Sequence, residues 1–364
     1  MSVELLPLIF AALMGGAILA YVVLDGYDLG VGMLMPAAER AEQDLMVASI
    51  GPFWDANETW LVLGIGLLLV AFPAAHGVVL GALYLPVAAM LVGLMVRGVA
   101  FELRIKAEGW HRELWNWLFW AGSTLASFAQ GLMLRGVAFE LRVKAEGWHR
   151  ELWNWLFWAG SFIASFAQGL MLGRYITGFA SGFGYWLFAI VVGGAVCGGY
   201  VLLGSTWLVL KSDGELRAKA ILWARWGLMW VALAVVLVSI ATPLASETVR
   251  QRWFRFPNMI FVSPLPIATF AAGLWIWFSL GRSDWKPFAG AVAIYVLSFA
   301  GLAYSLFPYV VMDRLTIWEA AAHPSALRFL FVGTVVVLPF IAGYTFYVYR
   351  VFRGKAKGGD IYGP

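Results

Sequence analysis

The chain has 364 residues, of which 62% are hydrophobic and only 13% charged, against roughly 45–50% and 25% in a soluble domain. With a mean hydropathy of +0.80, this composition excludes a soluble enzyme and leaves no stretch for a separate soluble domain. The formal charge of +4 and pI near 9.1 do not indicate nucleic acid, because the basic residues sit in loops between apolar runs, where positive-inside sorting accounts for them.

Apolar runs long enough to cross a bilayer, about 20 residues each, lie at 5–33, 52–73, 77–103, 115–134, 153–172, 184–210, 218–244, 259–281, 285–308 and 327–352. The first begins in MSVELLPLIFAALMGG, with an acidic Glu4 and no basic n-region, so it is expected to be a retained span rather than a cleaved signal peptide. Pro52, Pro73, Gly281 and Pro287 punctuate the borders as helix starts and stops. Cys197, the single cysteine, has no second thiol for a disulfide or a cluster and reads as packing.

Residues 97–134 and 135–172 are tandem copies that differ only at Ile105/Val143, Thr124/Phe162 and Leu125/Ile163. Two copies, each half a span, a charged loop and a span, cannot stack as a solenoid. This divides the chain into a first helical bundle (1–134), the copy (135–172), and a second bundle with a peripheral last helix (173–364). Parity then bears on orientation. With the second copy set aside and the N-terminus outside, nine spans put Arg40, Arg104, Lys106, Arg112, Lys211, Arg217, Lys219, Arg282, Lys286, Arg350, Arg353, Lys355 and Lys357 in inner loops. The outer loops keep Arg174, Arg250, Arg252, Arg255, Arg314 and Arg328, roughly half as many, in accord with the positive-inside rule. One of 115–134 and 153–172 is therefore expected to be an extra, peripheral or imperfectly inserted element; ten spans with an inner N-terminus are the rival.

Carboxylates inside apolar sequence are the functional candidates, because an ionisable group at membrane depth is costly unless it is paired, wetted or moves protons. Asp25 and Asp28 in VLDGYDLGVG stand at i and i+3, as do Asp55 and Glu58 in GPFWDANETWLVLGIG. Asp55 falls in a first helical turn, where the N-terminal dipole favours it; a proton-conducting face shared with Glu58 is the functional alternative. Arg97 in LVGLMVRGVAFE needs a counter-ion, and Asp25 or Asp28 is a natural one, with Glu102 close behind. A structural ion pair and a proton path remain equally open for that group. Among 20 tryptophans most read as an interfacial belt, but Trp54 and Trp60 flank Asp55, Asn57 and Glu58. His76, His111, His149 and His323 all fall between runs or in loops, so a bis-histidine haem is not expected in this chain. No P-loop, nucleotide fingerprint, Ser-His-Asp ordering or HExxH occurs.

DGYDLGVGML, GPFWDANETWLV, RGVAFELR, and LFPYVV followed by LTIWEAAAHPSAL together resemble subunit II of the cytochrome bd-type quinol oxidases, including the cyanide-insensitive branch. The resemblance runs from about residue 5 to 353 once the second copy is omitted. It implies an all-α fold of nine membrane helices, two four-helix bundles plus a peripheral helix, with the duplicated segment as an addition. It further implies pairing with a subunit I that carries haems b and d, or b only, and a role in oxidising quinol and reducing dioxygen to water with protons taken from the cytoplasm. On this resemblance Asp55 matches the family carboxylate that feeds protons toward the haems, and Glu58 and Asp25 join it as proton-path candidates from their own place in apolar sequence. Asp28, Arg97, Glu102, Trp54, Asn57 and Trp60 are candidates for the haem interface or a structural ion pair, Arg97 and Glu102 being preferred to their copies. A structurally bound quinone, a small single-span accessory subunit, lipids and the quinone pool are further implied partners, in the bacterial inner membrane with the N-terminus outside and the C-terminus cytoplasmic. An ion-coupled secondary transporter and a purely structural scaffold are the competing readings.

Overall fold

In a computed structural model the structure describes residues 4–84, 142 and 147–356, without the side chains of residues 55, 147–150, 152 and 261. The order begins with α1 (Leu5–Leu34), a 3-10 turn (Met35–Ala37), α2 (Arg40–Ile50), α3 (Trp54–Ala71), α4 (Pro73–Ala82), α5 (Gly147–Ile176), α6 (Phe183–Lys211) and α7 (Gly214–Ala245). Next come α8 (Glu247–Phe254), α9 (Asn258–Val262), α10 (Pro264–Ser279), α11 (Lys286–Leu306), the hairpin β1 (Tyr309–Val311) and β2 (Leu315–Thr316), α12 (Ile317–Ala320) and α13 (Pro324–Val351). Among the described residues seven helices are long and apolar enough to span, or eight if α3 and α4, bent by 115° at Phe72, count as one broken span. Pro73 causes that break: its ring fixes φ and removes an N–H, so it starts α4 rather than continuing α3.

The apolar runs near 5–33, 153–172, 184–210, 218–244, 285–308 and 327–352 each correspond to one long helix, and 259–281 to the short α9 followed by α10. The runs at 77–103 and 115–134 lie wholly or mostly outside the described residues. The expectation of an all-helical chain needs one correction. LFPYVV forms β1, and the chain returns as β2 antiparallel to it through a turn at Asp313, whose φ is 56°. β2 runs straight into α12, which Thr316 and Glu319 close with a reciprocal capping box.

Small residues set the packing of the long helices. A Cβ on Gly30 of α1 would stand 1.8 Å from the Tyr200 carbonyl oxygen of α6, and one on Gly204 would stand 2.4 Å from the Gly30 carbonyl carbon, so the two backbones cross at glycine on both sides. Gly32 meets Ser161 of α5, and Gly169 of α5 meets Gly193 of α6 in the same way. The second copy is therefore a core element here: α5 lies against both α1 and α6, with Phe157 and Ala164 buried. Of the two copies, 153–172 thus lies in a packed helix, and 115–134 lies outside the described residues.

The loops gather at two ends. At one, Arg217 pairs with Asp284, Lys355 with Asp213 and Asp284, and Lys219 with Glu39 and Glu42, while Arg142 meets Asp44 and Arg40 meets Glu151. This basic end thus joins the segments around 35–53, 142–151, 211–219, 282–286 and 352–356. At the opposite end the Ala322 N–H donates to the Ala71 carbonyl, Trp318 Nε1 donates to the Glu4 carbonyl, and the Tyr175 hydroxyl donates to the Val310 carbonyl. One apolar cluster, around Tyr27, Trp207 and Leu208, lies toward the basic end, and another, around Phe10, Phe72 and Val311, lies at the opposite end.

Candidate functional site

Asp25 and Asp28 are both fully buried, on the part of α1 that approaches the basic end. Asn57, one turn into α3, is also fully buried and points at them. Its Nδ2 lies 2.8 Å from Asp28 Oδ2, 3.0 Å from the Tyr27 hydroxyl and 3.1 Å from the Leu24 carbonyl. With two hydrogens for three acceptors, one of these bonds is shared. The Tyr349 hydroxyl of α13 donates to Asn57 Oδ1 at 3.0 Å, and the two hydroxyls of Tyr27 and Tyr349 are 2.5 Å apart. Because the Tyr349 proton is spent on Asn57, Tyr27 is the donor in that pair.

Hydrogens in this group run from Tyr27 to Tyr349 to the Asn57 carbonyl, and from the Asn57 amide to Asp28. An amide donates but does not pass a proton along as a hydroxyl or carboxyl does, so the group holds Asp28 in place and does not conduct through Asn57. Trp207 of α6 fixes the ring of Tyr27 by stacking at 4.0 Å and donates its indole N–H to the Ser49 carbonyl. A second polar group lies around Asp25. The Tyr200 hydroxyl donates to Gln168 Oε1 at 2.6 Å, and Gln168 Nε2 donates to the Tyr21 hydroxyl at 2.7 Å. Gly26, next to Asp25, leaves room for the Tyr200 ring, which a Cβ there would meet at 2.6 Å.

Of the residues singled out from sequence, the structure brings Asp28 and Asn57 into direct contact and sets Asp25 one turn away. Asp55 stands in the first turn of α3. Glu58 is half-buried on a different side of α3 from Asn57. Trp54 packs against the apolar cluster near the basic end, and Trp60 Nε1 donates to Thr345 Oγ1 of α13 at 3.2 Å. Arg97 and Glu102 lie outside the described residues. Sequence reading missed Tyr27, Tyr349, Tyr200, Tyr21 and Gln168. Tyr21, Asp25 and Asp28 stand at i, i+4 and i+7, one face of α1, and that spacing is the signal that could have found part of the group.

His76 is half-buried in the short α4, His323 is exposed where it caps α13 by accepting from the Ser325 N–H, and His149 lies in the first turn of α5. None stands inside a long span, so the described residues do not offer a histidine pair for a haem.

Outside the spans, charge pairing is tight. The hydrogen bond from Lys355 holds the Asp284 carboxyl below the usual carboxylate range, with Arg217 adding to it. Burial pushes the Glu42 carboxyl up, but the bonds from Lys219 and from the Glu39 N–H outweigh it and hold Glu42 low.

These features define a polytopic membrane protein with a buried, hydrogen-bonded acid group and no histidine pair placed for a haem among the described residues. The chain belongs to the family of cytochrome bd terminal oxidase subunit II, whose model matches residues 6–134 and 131–352. It is 24% identical to cytochrome bd ubiquinol oxidase subunit 2 of Bacillus subtilis, covering 92% of each chain. It is 27% identical to cytochrome bd-I ubiquinol oxidase subunit 2 of Escherichia coli K12, covering 98% of this chain and 97% of that one. Its fold matches a chain in the structure of bd oxidase from Geobacillus thermodenitrificans with a TM-score of 0.67 at 14% identity, over 95% of this chain and 98% of that chain. The chain is thus a subunit of a quinol:oxygen oxidoreductase complex, a multi-pass protein of the bacterial inner membrane.

Proposed function

We propose that this chain is the subunit that supports the haem-bearing subunit I and brings protons toward it from the cytoplasm. The arrangement proposed is nine helices as two four-helix bundles and a peripheral helix, N-terminus outside, with the basic end facing the cytoplasm. Haems b and d, or b only, belong in this reading to subunit I, where they supply the redox chemistry. A structural quinone, an accessory subunit and lipids remain further proposed partners. Asp55, at the basic end of α3, receives protons with Glu58, and Asp25 carries them inward beside Tyr200. Asp28, held by Asn57, is a fixed charge of the subunit interface, with Arg97 and Glu102 as its proposed companions.

One observation carries this reading: two carboxylates of α1 are fully buried within a turn of each other, below the end where the basic loops meet. Such a pair is too costly to persist without a charge-handling task. The amide that interrupts the hydrogen-bond chain at Asn57 favours a second, purely structural role for Asp28, while Asp25 and Asp55 keep the proton role. The test is Asp55→Asn and, separately, Asp25→Asn in the purified oxidase, with haem content measured by absorbance. Slowed proton uptake with full haem content supports the path; native uptake and oxygen reduction in both variants refutes it.

A further inference from the structure

Lys211, the last residue of α6, is only 7% exposed. Its ammonium donates to the Phe352 carbonyl at 2.7 Å and lies 5.1 Å from the centroids of both Phe53 and Trp207. Among the described residues no carboxylate comes within 4 Å of it. A cation held by one carbonyl and two ring faces is weakly compensated for its loss of water.

Its surroundings are built rather than incidental. The Ala356 N–H donates to the Lys211 carbonyl at 2.7 Å, and Lys355 Nζ donates to the Ser212 carbonyl at 3.1 Å, so the chain end straps across the top of α6. Phe53 is the residue immediately before α3 and packs on Tyr349 at 4.7 Å and Phe352 at 6.1 Å. Trp207 lies one turn below Lys211 and stacks on Tyr27. The ammonium thus sits on the aromatic lid of the Tyr27–Tyr349–Asn57 group, against the segment that launches the turn containing Asp55. The neighbouring charges are engaged elsewhere: Asp213 and Asp284 with Lys355, Arg217 with Asp284, and Lys219 with Glu39 and Glu42.

We infer that Lys211 is a positioning residue for proton entry, a buried ammonium that orders the start of α3 and biases the acid carried on its first turn. This rests on the proton-entry reading above. A nearby positive charge favours the ionised form of an acid, so removing it makes protonation persist to higher pH.

The experiment uses the whole oxidase, with a short-chain quinol as reductant, and records turnover against pH together with the haem spectrum. Lys211→Met moves the alkaline half-activity point up by roughly half a pH unit or more with an unchanged spectrum. Lys211→Arg keeps the native profile, and Lys211→Met adds no shift on top of Asp55→Asn. Should Lys211→Met fail to assemble, Lys211→Gln, which retains an N–H for the Phe352 carbonyl, gives the same readout. A native pH profile in the assembled neutral variant, while Asp55→Asn still slows proton uptake, overturns this inference alone. Native uptake in Asp55→Asn overturns the entry reading itself and takes the role of Lys211 with it.

Discussion

Replacing Asn57 by Leu keeps the volume of the side chain but removes every polar contact it makes. Asp28 loses an N–H donor at 2.8 Å, the Leu24 carbonyl loses one at 3.1 Å, and the Tyr349 hydroxyl loses its acceptor at 3.0 Å. A hydrogen bond to a charged group contributes about 1.5–3 kcal/mol and a buried group left unsatisfied costs about 1–3 kcal/mol. Partial relaxation brings the expected loss to about 3 kcal/mol. At roughly 2–4 °C per kcal/mol for a domain of 150–250 residues, and less for a larger assembly, the purified complex melts lower by at most about 6–12 °C. Tyr349→Phe removes one donor and one acceptor and costs less, about 1–2 kcal/mol. Because the two residues share one bond, the double variant falls short of the sum by about 1 kcal/mol. Thermal retention of the monodisperse complex, followed by haem absorbance, measures all three. If Asn57→Leu loses less than Tyr349→Phe, or the two losses simply add, the network as drawn does not exist.

Gly30→Val drives a side chain into the Tyr200 carbonyl and abolishes recovery of the complex from membranes, whereas Gly16→Ala, with nothing within 4 Å of the added methyl, leaves yield unchanged. Equal yields would disprove the close crossing of α1 and α6. The Asp284 carboxyl is held low by Lys355, so its contribution is present at neutral pH and fades as pH falls below about 4. Corrected for the intrinsic amide rate, the protection of the Ala356 N–H against hydrogen exchange then falls in acid in the native chain and is already low at neutral pH in Asp284→Asn; a protection factor that does not change with pH would contradict this. Excising residues 97–134 removes Arg97 and Glu102 but joins residue 96 to the identical Arg135–Glu140 stretch, which takes their place, and leaves the contacts of Arg142, Asn154, Ser161 and Gln168 in the chain, so the haem spectrum and yield persist. Loss of both would show that the first copy is needed.

The long apolar runs were legible because a bilayer demands uninterrupted hydrophobicity, and glycine and proline marked where helices begin and break. The β1–β2 hairpin escaped because LFPYVV reads equally as the tail of a span. Asp28 was found by its cost in lipid, but Tyr349, which donates to the Asn57 that holds Asp28, lies 292 residues from Asn57, and no local pattern links the two. Lys211 was counted only as a basic loop residue, since periodicity does not reveal that a chain end folds back to cover it. The copies are nearly identical over 38 residues, so sequence alone gave no basis for choosing which of them packs on α1. The contacts of α5 with Gly32 and Gly193 place the second copy against α1 and α6.

The long reach from Asn57 to Tyr349 also orders events during biosynthesis. A ribosome releases α1 and α3 hundreds of residues before α13, so newly made Asp28 has no complete socket until translation is almost over. Early-emerging acids must therefore wait in the translocon or in a loosely formed intermediate. Chains cut short before residue 349 lack the hydroxyl that holds the Asn57 carbonyl, and so never complete the socket of Asp28.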